Sequence, residues 1–153
     1  LELVLTVFGM KLHWHVYQNV TMEMTVVIIE DFIQNGRIEL LIGFVRDNSH
    51  GFLLTLGEGG VLSEIRNDTQ NLILPVSEEM IVNALKSLKI WPIFQGYRGY
   101  KKINLNPIID TVMNIQNFIV NNHEKIIEIE INPFILTEND GIAVDALINK
   151  QKI

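Results

Sequence analysis

In Ile127-Glu128-Ile129-Glu130-Ile131-Asn132-Pro133, apolar and oxygen-bearing side chains alternate without a break. Successive side chains of a strand point to opposite faces, so the isoleucines share one face and Glu128, Glu130 and Asn132 the other. A chain carrying this segment must build a sheet with one dry face and one oxygen-rich face. The turn residues Glu138-Asn139-Asp140-Gly141 follow, and Ile142 to Ile148 then reads as the returning strand of a hairpin. A turn with two central residues, such as Asn139-Asp140, sets a parity that projects Asp145 from the same face as Asn132. Glu130, Asn132 and Asp145 then converge, whereas a three-residue turn would separate them.

Asp145 stands inside the apolar run Ala143-Val144-Asp145-Ala146-Leu147, where an unpaired carboxylate is expensive to bury. A cluster of carboxylate and amide oxygens without His or Cys suits a hard cation that keeps water and shares its shell with phosphates, as Mg²⁺ does with a nucleotide. Alternation alone would equally describe a strand whose polar face meets solvent.

The rest of the chain places sheet before helix. Residues 1 to 29 are rich in β-branched and aromatic residues and read as strands. Gln34-Asn35-Gly36 separates Val26 to Ile33 from Ile38 to Val45 and predicts a hairpin, and the turn Asp47 to Gly51 leads to a third strand, Phe52 to Leu56. Gly57-Glu58-Gly59-Gly60 reads as a flexible loop. Ser77 can cap a helix whose Met80, Ile81, Ala84, Leu85 and Leu88 recur at helical spacing, ending near Lys89. Ile108, Val112, Ile115 and Ile119 mark a second helix after Pro107, with the loop Gln95-Gly96-Tyr97-Arg98-Gly99 between the two.

A chain of 153 residues, 48% hydrophobic, can bury one core. The formal charge of -6 argues against a nucleic-acid backbone or an anionic membrane as partner, and charged or amide residues interrupt every apolar run before it could span a bilayer. The absence of cysteine excludes disulfides, zinc-thiolate sites and cysteine nucleophiles, and fits a reducing, cytoplasmic setting. The start at Leu1 and a mean hydropathy of +0.23 suggest a piece of a longer protein whose apolar surface packs on a missing lobe or subunit.

Taken in order, Gly36-Arg37-Ile38-Glu39-Leu40-Leu41-Ile42-Gly43, Arg46-Asp47, Leu56-Gly57-Glu58-Gly59-Gly60-Val61, Gly96-Tyr97-Arg98-Gly99, Glu128-Ile129-Glu130-Ile131-Asn132-Pro133 and Ala143-Val144-Asp145-Ala146 resemble the ATP-grasp domain of NDP-forming acyl-CoA synthetases, relatives of succinyl-CoA synthetase. The likeness covers the C-terminal part of that domain, from about Val26 to Ile148, leaving residues 1–25 poorly matched and 26–153 as the lobe. It implies an α+β fold, a mainly antiparallel sheet with two packed helices. By resemblance, Asn132 and Asp145 match magnesium ligands with Glu130 as their acidic neighbour. Glu30 and Glu39 match positions near adenine and ribose, and Gly59 and Gly60 the loop over the phosphates. The family usually has a small or apolar residue where Glu58 stands, and a carboxylate there would repel phosphate. Arg98 is a candidate for an anion or interface contact.

The implied ligands are Mg²⁺ and ATP, ADP or another purine nucleotide. The implied partners are a first ATP-grasp lobe and a CoA-binding module or subunit carrying a phosphohistidine, in an enzyme that can be oligomeric. That ligase interconverts acid, CoA and NTP with acyl-CoA, NDP and phosphate, and this portion alone would be inactive. A degenerate lobe that binds nucleotide for regulation or assembly, and a purely structural fragment, are the other readings. His13 and His15 could share a strand face but have no third ligand in view, so both are taken as polar-face residues. His50 is read as a turn residue, His123 as a helix-end residue, and Glu78-Glu79 as first-turn charges of the capped helix.

Overall fold

A computed structural model describes residues 2–7, 10–17, 27–29, 33, 35–60 and 63–151, with residues 2–7, 10–17, 27–29 and 63–64 described by their backbone. The chain divides into two compact units, Leu1–Gln34 and Asn35–Ile153. Glu30, and the side chains of His13 and His15, lie outside what is described.

In the first unit, β1 (Glu2–Val7), β2 (Met10–Tyr17) and β3 (Val27–Ile29) form an antiparallel sheet in the order β1-β2-β3. Extended structure is what their β-branched content predicts. The partner of β3 differs from expectation. β3 pairs with β2, while the following strand, β4 (Ile38–Asp47), pairs with β5 (Gly51–Glu58) and β7 (Ile126–Leu136) in the other unit's sheet. Asn35-Gly36 is therefore a junction between two sheets and does not close a hairpin.

The second unit carries a six-stranded antiparallel sheet in the order β6-β5-β4-β7-β8, with β6 at Thr69–Ile73, β8 at Gly141–Ala143 and β9 (Ala146–Lys150) also paired with β7. Between the strands run a helical turn α1 (Ser63–Arg66), helix α2 (Glu78–Lys86), a short α3 (Trp91–Phe94) and the long α4 (Asn106–Asn122). Ile38, Leu40, Ile42 and Phe44 alternate along β4 onto one buried face, joined by Leu54 and Leu56 of β5 and by Ile129, Ile131, Phe134 and Leu136 of β7. The two long helices contribute Ile81 and Leu85, and Ile108, Val112, Ile115 and Ile119, all buried. Fully burying side chains of this size contributes about 1.5–3 kcal/mol each.

Ser77 Oγ accepts from Met80 N–H at 3.3 Å, with Glu78 and Glu79 in the first turn and Lys86 in the last. The helix ends at Lys86, short of the expected Lys89. The cause is Asp68, only 5% exposed, whose carboxylate accepts the Lys89 and Ile90 N–H groups at 2.9 and 3.2 Å. Two backbone donors given to a buried carboxylate turn the chain out of α2 and into α3, an element the sequence did not announce. Gln116 of α4 acts similarly on the segment before α2. Its amide accepts from Val76 N–H at 2.6 Å and donates to Val76 C=O at 3.2 Å, as a neighbouring strand would. His123 caps α4 and lies 3.3 Å from Val120 C=O, the helix-end place expected of it.

At the β4–β5 turn, Asp47 Oδ1 accepts from Ser49 and His50 N–H and meets His50 Nδ1, each at 2.8 Å. The Ser49 backbone donor, then the His50 ring and backbone, hold the Asp47 carboxyl below its ordinary value. A depressed carboxyl stabilises the turn above its unfolded pKa and loses that effect as pH falls through the folded value. Amide exchange at Ser49 and His50, followed downward in pH, should therefore accelerate only in the acid range below the usual aspartate titration, beyond the change that intrinsic exchange chemistry predicts. For Asp68→Ala, which strands two buried N–H groups, urea unfolding should give a loss of about 2–3 kcal/mol, with Asp68→Asn losing less.

Candidate functional site

The site begins at an irregularity in β7. Leu40 of β4 pairs with Phe134 and Ile42 with Ile131, so Asn132 and Pro133 together face the single residue Leu41. Two residues opposing one make a β-bulge, which shifts the side-chain phase and re-aims the residue it contains. The burial pattern records the shift, with Ile129 and Ile131 buried before the bulge and Phe134 and Leu136 after it. Both sets can face the core only because an extra residue lies between them.

The returning strands keep one register along β7, from Leu136 opposite Gly141 to Ile131 opposite Ala146 and Glu128 opposite Asn149. Asn132 therefore faces Asp145, and Asn132 N–H donates to Asp145 C=O at 3.2 Å while Val144 N–H donates to Pro133 C=O at 3.0 Å. The connection is the four-residue loop 137–140, closed by Thr137 N–H to Asp140 C=O at 2.9 Å and Asp140 N–H to Thr137 Oγ1 at 3.0 Å. Four residues preserve the parity that a two-residue turn would give, so Asn132 and Asp145 meet as the alternation argued. Glu130, opposite Gly43 on one side and Leu147 on the other, is half-buried.

Beyond β5 the chain passes Gly59 and Gly60 close over β4. Gly59 N–H donates to Glu39 C=O at 2.8 Å, and a Cβ on Gly59 would lie 2.5 Å from the Leu40 carbonyl carbon. Gly60 has φ +81°, and its missing Cβ leaves the space taken by Glu39 Oε2. Gly60 N–H donates to Asn132 Oδ1 at 3.0 Å, tying the glycine loop to the bulge across 72 residues of sequence. Glu39, Gly59, Gly60, Asn132 and Asp145 are thus gathered at one place. Glu30 lies outside the described residues.

Glu58 does not stand as the sequence suggested. It pairs with Leu40 across the β4–β5 ladder, and its carboxylate forms an ion pair with Arg66 of α1. A carboxylate held by a guanidinium repels a nearby phosphate far less than a free one. The partner was not foreseen because the helical turn that lifts Arg66 is only four residues long. The bulge was also missed, although its signal is in the sequence: the apolar series Ile129, Ile131, Phe134, Leu136 changes step at Asn132-Pro133.

The Asn132 amide oxygen and the Asp145 and Glu130 carboxylates, the residues that the resemblance put forward, are hard oxygen donors. Among the described residues no three of His, Cys, Asp and Glu are grouped to hold a metal ion. A cation here would complete its shell from phosphate and water, as Mg²⁺ commonly does. No helix among the described residues is long and apolar enough to cross a membrane.

Comparison with known proteins bears on the family and the fold. Residues 11–149 match the ATP-grasp domain family. Acetate–CoA ligase [ADP-forming] of Methanocaldococcus jannaschii is 34% identical over 126 residues, covering 81% of this chain and 18% of that protein. Subunit beta of acetate–CoA ligase [ADP-forming] I of Pyrococcus furiosus is 33% identical over 120 residues, covering 78% of this chain and 51% of that subunit. The chain thus spans about half the length of one relative and less of the other. Among solved structures, the dinucleotide-forming acetyl-coenzyme A synthetase 1 of Ca. Korarchaeum cryptofilum, in complex with coenzyme A and Mg-AMPPCP, superposes with a TM-score of 0.73 at 30% identity, over 80% of this chain and 56% of that one. With an antiparallel sheet of the matching fold and a family match across most of its length, the chain belongs to the ATP-grasp family, and its relatives are ADP-forming acid–CoA ligases.

Proposed function

We propose that this chain supplies the Mg-nucleotide-binding lobe of an NDP-forming acid–CoA ligase, which interconverts acid, CoA and NTP with acyl-CoA, NDP and phosphate. The observation that carries the reading is the hydrogen bond from Gly60 N–H to Asn132 Oδ1 at 3.0 Å, with Asp145 facing Asn132. It joins a backbone donor suited to phosphate and a side-chain oxygen suited to a cation. The Asn132 oxygen keeps a second lone pair, and a magnesium–phosphate pair could replace this one bond with two charge-assisted contacts. Asn132, Asp145 and Glu130 would hold Mg²⁺, which when bound neutralises phosphate charge and aligns the transferring group. Gly59 and Gly60 would let the backbone approach the phosphates, and Glu39, with Glu30, would meet the ribose and base.

The relatives extend well beyond this chain, so the first ATP-grasp lobe and a CoA-binding module with its phosphohistidine belong to the proposal as partners. Residues 26–153 are taken as the lobe, and alone it is inactive. Glu58 was one ground for reading a degenerate, regulatory lobe, and the Arg66 ion pair weakens that ground alone.

Calorimetric titration with ADP and ATP, with and without Mg²⁺, tests the assignment. Asn132→Ala combined with Asp145→Ala should abolish Mg-dependent binding while the chain remains folded by circular dichroism; unchanged affinity would remove these residues from the site. Gly59→Ala, which forces a methyl group into the β4 backbone, should lower stability by about 1–3 kcal/mol and weaken nucleotide binding. Gly43→Ala meets only Thr55 Cβ at 3.8 Å and should leave stability nearly unchanged.

A further inference from the structure

Arg37 stands just before β4 with its guanidinium 3.7 Å over the ring centre of Tyr100. Its Nη1 is covered from solvent and has no hydrogen-bond partner among the described residues. A guanidinium offers five donors in a rigid fork, and leaving a covered donor of a charged group unmatched is costly unless something answers it. The aromatic face answers the charge in part but accepts none of the directional hydrogen bonds.

Arg37 borders two adjoining recesses. One, of about 390 Å³, also contains Glu39, Glu58, Gly59 and Arg66; Glu58 and Arg66 pair with each other there, and Glu39 and Gly59 already belong to the nucleotide site proposed above. The other, of about 250 Å³, is lined with Arg37 by Ile93, Tyr97, Tyr100 and Lys101 and has no acidic residue in its wall. Tyr97 and Tyr100 are 49% and 59% exposed. Arg98, its guanidinium 5.3 Å over the ring centre of Tyr97, adds positive charge in a chain whose net charge is -6, while Lys101 is paired with Glu138. Local charge of the opposite sign to the whole molecule draws anions to that spot.

The wall of this second recess is fixed in place. Gly96 N–H donates to Ile93 C=O at 3.2 Å, Tyr100 N–H to Tyr97 C=O at 3.2 Å and Ile103 N–H to Phe94 C=O at 2.9 Å, while Lys101 Nζ reaches Glu138 Oε1 at 2.9 Å. Arg98 holds φ +52° without being glycine, and Gly96 has φ +93° where a Cβ would strike Tyr100 C=O. A loop tied down in this way presents a formed surface and needs little ordering on binding.

We propose that the recess between Tyr97, Tyr100 and Lys101 is an oxyanion site in which Arg37 binds a carboxylate or phosphate group. A planar two-oxygen acceptor matches the guanidinium fork, and the group can come from an acidic side chain of a protein segment or from a free anion. The site shares none of the magnesium ligands Asn132, Asp145 and Glu130, so it stands or falls separately from the nucleotide reading.

The test is a proton–nitrogen NMR titration of the ¹⁵N-labelled 153-residue chain at constant ionic strength, with inorganic phosphate in one arm and the capped peptide Ac-Glu-Glu-Asp-Glu-Glu-NH₂ in the other. Sodium chloride is the control. Saturable shifts at Gly36, Tyr100 and Lys101 amides and at Arg37 Nε–H are expected, weakened about tenfold or more in Arg37→Met and retained in Asn132→Ala/Asp145→Ala. Saturation by phosphate alone assigns the site to a free anion, and tighter saturation by the peptide assigns it to a protein side chain. Should Arg37→Met fail to fold, Tyr100→Leu, which removes the ring supporting the guanidinium, is expected to weaken binding in the same direction. Failure of both probes to give a saturable shift at these positions, or equal shifts in the wild-type chain and the folded variant, overturns the proposal.

Discussion

Everything in the larger unit depends on β4 being paired along both edges. With β5 on one side and β7 on the other, its backbone groups are satisfied by strands distant in sequence, and its apolar residues Ile38, Leu40, Ile42 and Phe44 are free to form the floor of the core. Period-two alternation then leaves the opposite face to Glu39, Leu41, Gly43 and Val45. α2 packs against β5, β6 and α4, so the helices and the candidate site are separate consequences of one strand's sidedness. Asp68 and Gln116 fasten those helices by giving side-chain oxygens to backbone donors that no strand or helix supplies.

The candidate site lies where regular pairing gives way. Two glycines follow the end of β5, β7 bulges at Asn132-Pro133, and β8 and β9 are separated at Val144-Asp145. Each interruption brings polar atoms to a place where a regular ladder would have consumed them. The Asn132 side chain is available to Gly60 because the bulge lies beside the glycine loop, and the glycine loop can come near because neither residue carries a Cβ.

Much of this was legible from local pattern. Ser77, Pro107 and the helical spacing of Ile108, Val112, Ile115 and Ile119 announced the helices α2 and α4, and the parity of the closing hairpin set Asp145 on the face of Asn132, while the longer loop brings the two directly opposite. What was not legible depended on partners far away in sequence. Asn35-Gly36 has the chemistry of a tight hairpin, yet β3 pairs with β2, and β4 with β5 and β7, a choice the turn residues do not carry. α3 and the early end of α2 come from Asp68, whose two acceptors act 21 and 22 residues away. Glu58 looked like an isolated charge beside glycine until Arg66 was lifted over it.

The bulge also binds the chemistry to the architecture. The residue that opens room for Asn132 is the one that keeps Phe134 and Leu136 in step with the core, and through them the register of β8. Deleting one residue at Asn132-Pro133 would act as a frameshift in side-chain parity, turning the hydrophobic end of β7 outward along with Ala143 opposite Phe134. Such a chain could not lose the irregular step and remain folded as a binding-dead copy. Loss of function by drift must instead come through substitutions that keep the length of this segment, and its spacing should outlast its activity.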